Sequence, residues 1–163
     1  MECFMQITVL AAGRVKESYL RGAIDEYSKR LSRYCRLDIE ETADEKTPEN
    51  AGKALEEKIK ETEGERLLKK IPDDSYVIAL TIDGKPLSSE EFAAQIDELG
   101  ISGVSHIVYV IGGSLGLGQN VLDRADFKVS FSRMTFPHQL MRVILLEQIY
   151  RGYRIIKGEP YHK

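Results

Sequence analysis

Short apolar runs alternate along the chain with stretches whose apolar residues have helical spacing. The runs lie at residues 6–13, 75–82, 105–111 and 127–131, with a weaker alternation at 37–42. Runs this short, rich in Val and Ile, are typical of strands that are buried on both faces of a parallel sheet. Helices in the intervening stretches can cover both faces of such a sheet. The pattern therefore predicts a single α/β domain with a parallel-rich sheet covered by helices on both faces.

The helical stretches differ in the apolar surface that they offer. The first has its apolar residues at Tyr19, Ala23, Ile24, Tyr27 and Leu31. The second, residues 51–70, is strongly charged, and we expect it to be the least firmly docked helix because its apolar stripe is thin. That stripe consists of Ala54, Leu55, Ile59, Leu67 and Leu68. A third helix is expected to begin at Ser88 or Ser89, since serine is a good N-cap and two glutamates follow.

The longest helical stretch follows a polar bend near the C-terminus. Pro137 suits a first helical position, and Gly158 with Pro160 ends the pattern about twenty residues later. Its apolar residues cover more than the roughly 100° stripe that one sheet would bury. We therefore expect this helix to pack on its own sheet and on a second surface. In a protein this small, that surface is most simply a second copy in a two-fold homodimer.

Three loops are candidates for a ligand site, because ligands of parallel α/β sheets bind beyond the carboxyl ends of the strands. They are residues 80–85, 111–118 and 131–137. The middle loop contains GGSLGLG, whose glycines allow sharp turns and bring backbone N–H groups close to a ligand. It lacks the Lys-Ser/Thr pair of a P-loop and does not fit the dinucleotide fingerprint. It indicates either a nucleotide-like ligand or a tight structural turn.

Length and composition narrow the class of protein. A chain of 163 residues is enough for one domain with its own core. Cys3 and Cys35 are isolated, which argues against a disulfide framework or a zinc site. No apolar run is long enough to span a bilayer, and no signal peptide is recognisable, so we expect a cytoplasmic protein without a membrane partner. Residues 1–4 are interpreted as a short extension and residues 5–163 as the domain.

The charge is unevenly distributed along the chain. The net charge of −3 argues against a general DNA-binding protein. Residues 1–37 carry seven Lys or Arg against four acids, residues 38–65 carry four against eleven, and residues 131–163 carry six against two. If the two basic ends meet in space, they could bind phosphates while the acidic middle stays in solvent. The alternative is that all three are ordinary solvated faces.

The histidines and the basic residues of the last helix are the candidates for chemistry. His106 lies within a strand and His138 at a helix start, so both are interpreted as core or capping residues. His162 lies in the terminal Tyr-His-Lys, which is either a frayed tail or a functional one. Arg142, Arg151 and Arg154 share one broad side of the helix, where they could bind phosphate or base edges, or pair with Glu147.

Three segments in order resemble a known family. VIGGSLGLG, SFSRMTFPHQLMR and the terminal PYHK are similar to motifs of the ribosomal RNA large subunit methyltransferase H family, and the likeness extends over nearly the whole chain from Met5. That family methylates N3 of a pseudouridine in 23S ribosomal RNA and belongs to the SPOUT superfamily. The resemblance implies a C-terminal trefoil knot, a rare exception to the rule that chains do not thread themselves.

The resemblance also implies the ligand and its binding residues. The expected methyl donor is S-adenosyl-L-methionine. The residues implied to bind it are Leu80, Gly112, Phe131, Ser132, Arg133, Met134, Thr135 and Phe136. The methyl group of a sulfonium is already activated, so such an enzyme must align the acceptor and help it to lose a proton.

The tail supplies our candidates for that task. We assign His162 as proton acceptor or orienter, Tyr161 as a stacking or hydrogen-bonding partner of the base, and Arg142 or Arg154 as the charge that stabilises a developing anion. The family often ends in Tyr-His-Arg, whereas this chain ends in Lys163. The family also implies a homodimer, in which the tail can complete the partner's site. Because one small domain has few cations, selection of one nucleotide is expected to need the shape of an assembled ribosome and extrusion of the base.

Other functions remain open from the sequence. One is a knotted methyltransferase for another ribosomal position or for transfer RNA. A second is a ribosome assembly factor that has the fold without the chemistry. A third is a nucleotide-binding regulator that uses the glycine-rich loop, for which ATP or NAD would compete with the methyl donor.

Overall fold

The computed structural model describes residues 4–163, and within that range five strands form one parallel sheet. The strands are β1 (Gln6–Ala12), β2 (Arg36–Thr42), β3 (Tyr76–Pro86), β4 (His106–Ile111) and β5 (Phe127–Ser130). Their order is β2-β1-β4-β3-β5, and each neighbouring pair is parallel. The predicted α/β architecture is confirmed. Residues 1–3, which make up most of the proposed extension and include Cys3, lie outside the described residues.

Helices cover both faces of the sheet, as predicted. They are α1 (Ser18–Leu31), α2 (Lys53–Leu68), α3 (Ser89–Ile101), α4 (Gln119–Arg124) and α5 (His138–Ile156). Helix α5 packs between α1 and α3 on one face, and α2 packs with α4 on the other.

Alternation of side chains along the central strands explains why both faces are apolar. In β4, Ile107 and Tyr109 point into the larger core with α5, whereas Val108 and Val110 point into the smaller core with α2. All four are fully buried. Successive side chains of a strand point to opposite faces, so a continuous apolar run is what a two-sided sheet requires.

Two predicted apolar faces are partly wrong. Tyr19 lies in the first turn of α1 and is 73% exposed, because the helix packs through its later turns. Ala54 and Leu55 are also exposed. Helix α2 is buried only from Ile59 onward, through Glu63, Gly64 and Leu67. The apolar spacing predicts burial along the whole helix, but the first six residues of α2 contribute no buried side chain.

Strand β3 includes residues 80–85, which the sequence predicted to form a loop at its end. Both Leu80 and Lys85 pair with Val129 of β5, so residues 81–84 bulge out of the ladder between them. A Cβ atom on Gly84 would lie 2.6 Å from the carbonyl carbon of Val129, which is too close for any side chain. The bulge therefore needs glycine at this position.

Helix α5 begins one residue later than predicted. Pro137 is its N-cap, with a ψ of 134°, and the helix has 19 residues. It ends where expected, since Gly158 has a positive φ of 66°. This conformation favours glycine and turns the chain back toward α5.

Candidate active site at the carboxyl edge of the sheet

The three candidate loops lie at one edge of the sheet. Residues 111–118 and 131–137 come at and after the ends of β4 and β5, and residues 80–85 contain the bulge near the end of β3; these three strands are consecutive in the sheet and parallel. The carboxyl ends of these strands therefore meet, as the sequence predicted.

The loop after β5 crosses the ends of two other strands. It starts at Ser130, at the end of the edge strand, and leads to His138. The His138 ring lies over the end of β1, where its Cε1 would be 3.5 Å from a Cβ on Gly13. Strands β3 and β4 lie between β5 and β1. Residues 131–137 thus run from the end of β5 toward the end of β1, past the ends of β3 and β4, while the threading of a trefoil knot stays a prediction.

The glycine-rich loop folds tightly on itself. Gly113 pairs with Gly116 in an isolated bridge, and the N–H of Gly116 donates to the carbonyl of Gly113 at 3.0 Å. A Cβ on Gly112 would lie 2.5 Å from the carbonyl carbon of Gly116. Gly116 has a positive φ of 89°. These contacts exclude a side chain at Gly112, and they keep the loop backbone close to the strand end.

A buried carboxyl group supports this loop from behind. Glu63 of α2 is 4% exposed and accepts the N–H of Glu45 at 2.9 Å. A Cβ on Gly113 would lie 3.1 Å from both of its oxygens. Burial raises the pKa of Glu63, and nearby Asp44 and Glu45 add to this rise. Nothing in the apolar spacing of the sequence pointed to this acid.

An apolar cavity of about 240 Å³ opens beside the crossing loop. Its aromatic walls are Phe92, Phe131 and Phe136, and its polar groups come from Ser88, Ser89 and Gln148. Phe131 meets Phe92 edge to face, with ring centroids 5.8 Å apart. Ser89 donates to the Gln148 side-chain oxygen at 2.7 Å, which links α3 to α5 across the cavity.

The lining of this cavity fits the adenine of S-adenosyl-L-methionine. An adenine needs an apolar slot and a few polar groups for its edge, and the cavity has both. Residues 131–137 form neither helix nor strand, and their backbone groups make few hydrogen bonds within the described residues. Ser132 is an exception that stabilises the bend, because its Oγ accepts the N–H of Met134 at 2.9 Å.

The predicted binding residues do not all line the cavity. Phe131 and Phe136 do, whereas Leu80 lies at the start of the bulge and Gly112 in the neighbouring loop. Arg133, Met134 and Thr135 are exposed on the crossing loop. The structure brings these residues to one edge of the sheet, on either side of the crossing loop.

The C-terminal tail folds back against α5 and the start of α3. The hydroxyl of Tyr161 donates to Glu147 at 3.2 Å, and its ring lies 4.9 Å from the ring of Tyr150. His162 lies between two partners, with Nε2 2.6 Å from Glu90 and Nδ1 3.1 Å from a guanidinium nitrogen of Arg151. Glu90 is next to Ser89, so the tail lies beside the cavity.

The neighbours of His162 fix its tautomer. A guanidinium can only donate hydrogen bonds, so Nδ1 must accept from Arg151. Nε2 then carries the proton and donates it to the carboxylate of Glu90. In this arrangement both ring nitrogens are hydrogen-bonded to neighbouring side chains.

Arg151 and Arg154 hold the tail in place. Arg151 forms an ion pair with Glu147 at 2.5 Å, one of the two roles considered for it. Its guanidinium also lies 4.7 Å from the centre of the Tyr161 ring. Arg154 pairs with Glu159 at 2.6 Å and donates to the carbonyl of Pro160 at 3.2 Å. The pairing partners Glu147 and Glu159 could be guessed from spacing, but Glu90 could not, because it comes from a distant part of the chain.

Arg142 is not near the tail. It is 1% exposed and donates to the carbonyls of Ala12 and Gly13 at 3.1 and 2.8 Å. It also pairs with Glu41 at 2.5 Å. Burial lowers the pKa of Arg142, and the contact with Glu41 opposes this shift. The structure thus separates Arg142 from Tyr161, His162 and Arg154, and it places the guanidinium at the ends of β1 and β2.

Within residues 4–163, no group of three His, Cys, Asp or Glu side chains is arranged to hold a metal ion. Over the same range, no helix is both long and apolar enough to cross a membrane. Burial raises the pKa of the Cys35 thiol to about 12, so this cysteine stays protonated and is a poor nucleophile.

Comparison with known proteins agrees with this geometry. A family model described as "Predicted SPOUT methyltransferase" matches residues 5–162. The chain is 62% identical over 159 residues to the ribosomal RNA large subunit methyltransferase H of Clostridium beijerinckii, and the match covers 98% of this chain and 100% of that protein. It is 65% identical, with the same coverage, to the protein of that name from Bifidobacterium adolescentis.

A solved structure shows the same fold at low sequence identity. It is a probable methylase family protein from Haemophilus influenzae, with a TM-score of 0.52 and 12% identity. The match covers 98% of this chain and 70% of that one. At this identity the likeness concerns the fold alone.

Proposed function

Because the chain belongs to the SPOUT methyltransferase family, we propose that it transfers a methyl group from S-adenosyl-L-methionine to N3 of a pseudouridine in 23S ribosomal RNA. The proposed substrate is the assembled large subunit or the ribosome. The names of the two relatives support an RNA of the large ribosomal subunit. The base and the atom follow from the motif resemblance described above.

One observation carries the proposal: the ends of β4, β3 and β5 bring three loops that are distant in sequence to one edge of the sheet, and the last of these loops lines a cavity beside the C-terminal tail. The donor would be held by the backbones of the bulge at 81–84, the loop at 112–118 and the crossing loop at 131–137. When bound, it would supply a methyl group carried on a sulfonium. On transfer, the electron pair of the carbon–sulfur bond would stay on sulfur. The adenine is proposed to lie against Phe131 and Phe136.

The tail is proposed to meet the acceptor base. Tyr161 presents a ring for stacking, although its hydroxyl is already bonded to Glu147. Arg154 and Arg151 keep the tail folded, and Arg142 acts through the position of α5 rather than by touching the base. In a homodimer, the same tail could serve the partner's cavity.

The basic residues of α1 and of the segment that follows it up to the start of β2 suit a nucleic acid. Arg21, Lys29, Arg30, Arg33 and Arg36 are all exposed. Cations of this kind bind phosphates without reading sequence. Recognition of one nucleotide is therefore proposed to depend on the shape of the ribosomal surface.

Mass spectrometry of modified nucleosides tests the whole proposal. Ribosomes, large subunits and free 23S RNA from a strain without the enzyme are incubated with labelled methyl donor and then mapped. We expect label on a single pseudouridine at N3, on ribosomes or subunits and not on free RNA. Label at another base would favour a different knotted methyltransferase. Binding of the donor without transfer to any ribosomal substrate would favour an assembly factor.

A matched pair of glycine variants tests the donor site. In Gly112→Ala, the new Cβ would press on the backbone of Gly116, so we expect donor binding measured by calorimetry to weaken at least about tenfold, on the scale of one displaced hydrogen bond. In Gly22→Ala, the new Cβ meets no atom within 4 Å, and binding should be unchanged. Equal affinities in the two variants would contradict a donor site at the glycine-rich loop.

A further inference from the structure

The segment between β1 and α1 carries two exposed cations on either side of a buried residue. Arg14 and Lys16 are exposed, whereas Val15 is 3% exposed. The N–H of Val15 donates to Glu41 at 3.0 Å, and the carbonyl of Val15 accepts from Arg21 at 2.9 Å. Because the side chain and both backbone groups of Val15 are engaged, the backbone of this segment is fixed. The two flanking cations are therefore held at defined positions on the surface.

This segment meets the end of the crossing loop at the carboxyl edge of the sheet. Gly13, which precedes the segment, accepts a hydrogen bond from Arg142 at 2.8 Å. A Cβ on Gly13 would lie 3.5 Å from the ring of His138, the residue that directly follows the crossing loop. The crossing loop itself carries the exposed Arg133. Arg133 and the two cations of the β1–α1 segment thus belong to the same edge of the molecule.

These three cations are not neutralised by the protein. Within residues 4–163, none of them forms an ion pair with an acid, whereas all three arginines of α5 do. The acids nearby are Glu17, which is exposed in the same segment, and Asp44, which contacts Gly13. The exposed Arg21 adds a fourth cation. The edge therefore keeps a positive balance and has cations available for an anionic partner.

An exposed aromatic ring lies beside these cations. Tyr19 is in the first turn of α1, three residues after Lys16, and is 73% exposed. It belongs to neither of the two core clusters of the described chain. A ring that is this exposed contributes little to packing, but it offers a face on which an unpaired base can stack. Exposed rings among cations are the combination by which proteins bind single-stranded RNA, since bases stack on the rings and phosphates bind the cations.

We propose that Arg14, Lys16, Tyr19 and Arg133 form a surface that binds an unpaired stretch of the substrate RNA next to the acceptor base. The inference rests on the proposed function. One base stacks on the ring of Tyr19, and the phosphates on either side of it bind the cations. The C-terminal tail lies beside the start of α3, which follows β3. Strands β1 and β3 are separated by one strand, so their ends are about 10 Å apart, and neighbouring nucleotides of one RNA can reach both places.

Two matched double variants test the cations. The dissociation constant for large ribosomal subunits is measured by fluorescence anisotropy of the labelled protein at several salt concentrations. In Arg14→Gln/Lys16→Gln we expect binding about tenfold weaker at physiological salt, and a salt slope smaller by about 1.4, because two phosphate contacts are lost. Lys69→Gln/Lys70→Gln removes the same charge from exposed positions between α2 and β3, at the opposite edge of the sheet, and should bind like wild type.

A pair of substitutions at one position tests the ring. Tyr19→Ala should weaken binding of the subunits about tenfold, as for the loss of one stacked base. Tyr19→Phe keeps the ring and should restore wild-type affinity. Both variants should bind the methyl donor like wild type in calorimetry, because Tyr19 is exposed and does not line the cavity.

The outcomes separate this inference from the proposed function. Equal affinities of the two double variants would overturn the inference alone, as would equal affinities of Tyr19→Ala and Tyr19→Phe. A change of mass in sedimentation equilibrium, without a change in affinity for subunits, would mean that the surface contacts a second copy of the chain, and it would overturn the inference too. If the wild-type protein binds subunits but labels no pseudouridine, the proposed function fails, and the same comparison of affinities still decides on the surface.

Discussion

At the scale of single residues, Arg142 shows that a candidate chosen by helical spacing can be held by buried contacts far from the other candidates. Its spacing predicts that it shares one broad side of the helix with Arg151 and Arg154. However, the first and last turns of a 19-residue helix lie far apart along its axis. Arg142 lies at the first turns, where it bonds two main-chain carbonyls and Glu41. Its guanidinium joins the start of α5 to the end of β1.

Arg142→Met should therefore destabilise the fold. The substitution leaves two carbonyls unpaired, and the partly exposed Glu41 can turn to water. We expect a loss of about 2–4 kcal/mol in the free energy of unfolding, measured by urea titration. Arg36→Met, at an exposed position on β2, is the control and should change stability by less than about 0.5 kcal/mol. If Arg142→Met were as stable as Arg36→Met, the buried arginine would contribute no net stability.

Glu63 gives a pH dependence with a definite sign. Because burial raises its pKa in the folded protein, the folded state binds this proton more tightly than the unfolded state. Its contribution to stability is thus present below the unfolded pKa and is lost as pH rises through the raised folded pKa. We expect Glu63→Gln to have a higher Tm than wild type at pH 8 and no advantage at pH 4. A constant difference at both values of pH would show that the residue acts by packing alone.

Side-chain contacts could be predicted from the sequence only where the two residues are close along the chain. The pairing of Arg151 with Glu147 is one helical turn apart and could be read from spacing. Other contacts join segments that are distant in sequence: Glu63 with Gly113, His162 with Glu90, and His138 with Gly13. Spacing carries no information on such pairs, so the environment of each histidine became visible only in the structure.

At the scale of elements, the N-terminus of α3 is the best example of a local prediction that is confirmed. Ser88 accepts the N–H of Glu91 at 3.1 Å, and Glu91 accepts the N–H of Ser88 at 3.0 Å. This reciprocal capping box fixes the side of α3 that faces the cavity. By contrast, the bulge in β3 was missed, because it depends on pairing with β5 rather than on its own residues.

Ser88→Ala should lower stability and loosen the cavity. Loss of the cap is expected to cost about 1 kcal/mol in the free energy of unfolding, measured by chemical denaturation. Ser18→Ala, at the exposed first residue of α1, offers a matched serine without a capping role and should have little effect. If the free energy of unfolding falls equally in both variants, the capping box at Ser88 contributes nothing beyond the polarity of a serine side chain.

At the scale of the whole molecule, α5 connects the two halves of the proposed site. Its first turn follows the crossing loop, and the tail that follows its last turn carries Tyr161 and His162. The sequence predicted that this helix would be buried on two faces. One chain accounts for the contacts with α1, α3 and the sheet, and it leaves Leu140 37% exposed.

A homodimer is the corresponding prediction for the assembly. We expect sedimentation equilibrium at micromolar concentration to give the mass of two chains, because a partner copy would cover the remaining apolar side of α5. Leu140→Glu on that side should shift the equilibrium toward single chains, whereas Ile101→Glu, at a position 80% exposed on α3, should not. A single-chain mass for the wild-type protein at all concentrations would contradict the dimer.

The order of strands also has a consequence for how the protein is made. Strand β1 lies between β2 and β4, and the carbonyl of Ala12 accepts a hydrogen bond from Arg142, which is 130 residues further along the chain. While a ribosome is still synthesising the chain, the first strand has one unpaired side, and no partner exists for it until β4 emerges. Contacts this distant in sequence close slowly, because chain entropy must be lost before they form. Nascent chains should therefore stay sensitive to protease until α5 has been released, and they should depend on chaperones during that interval.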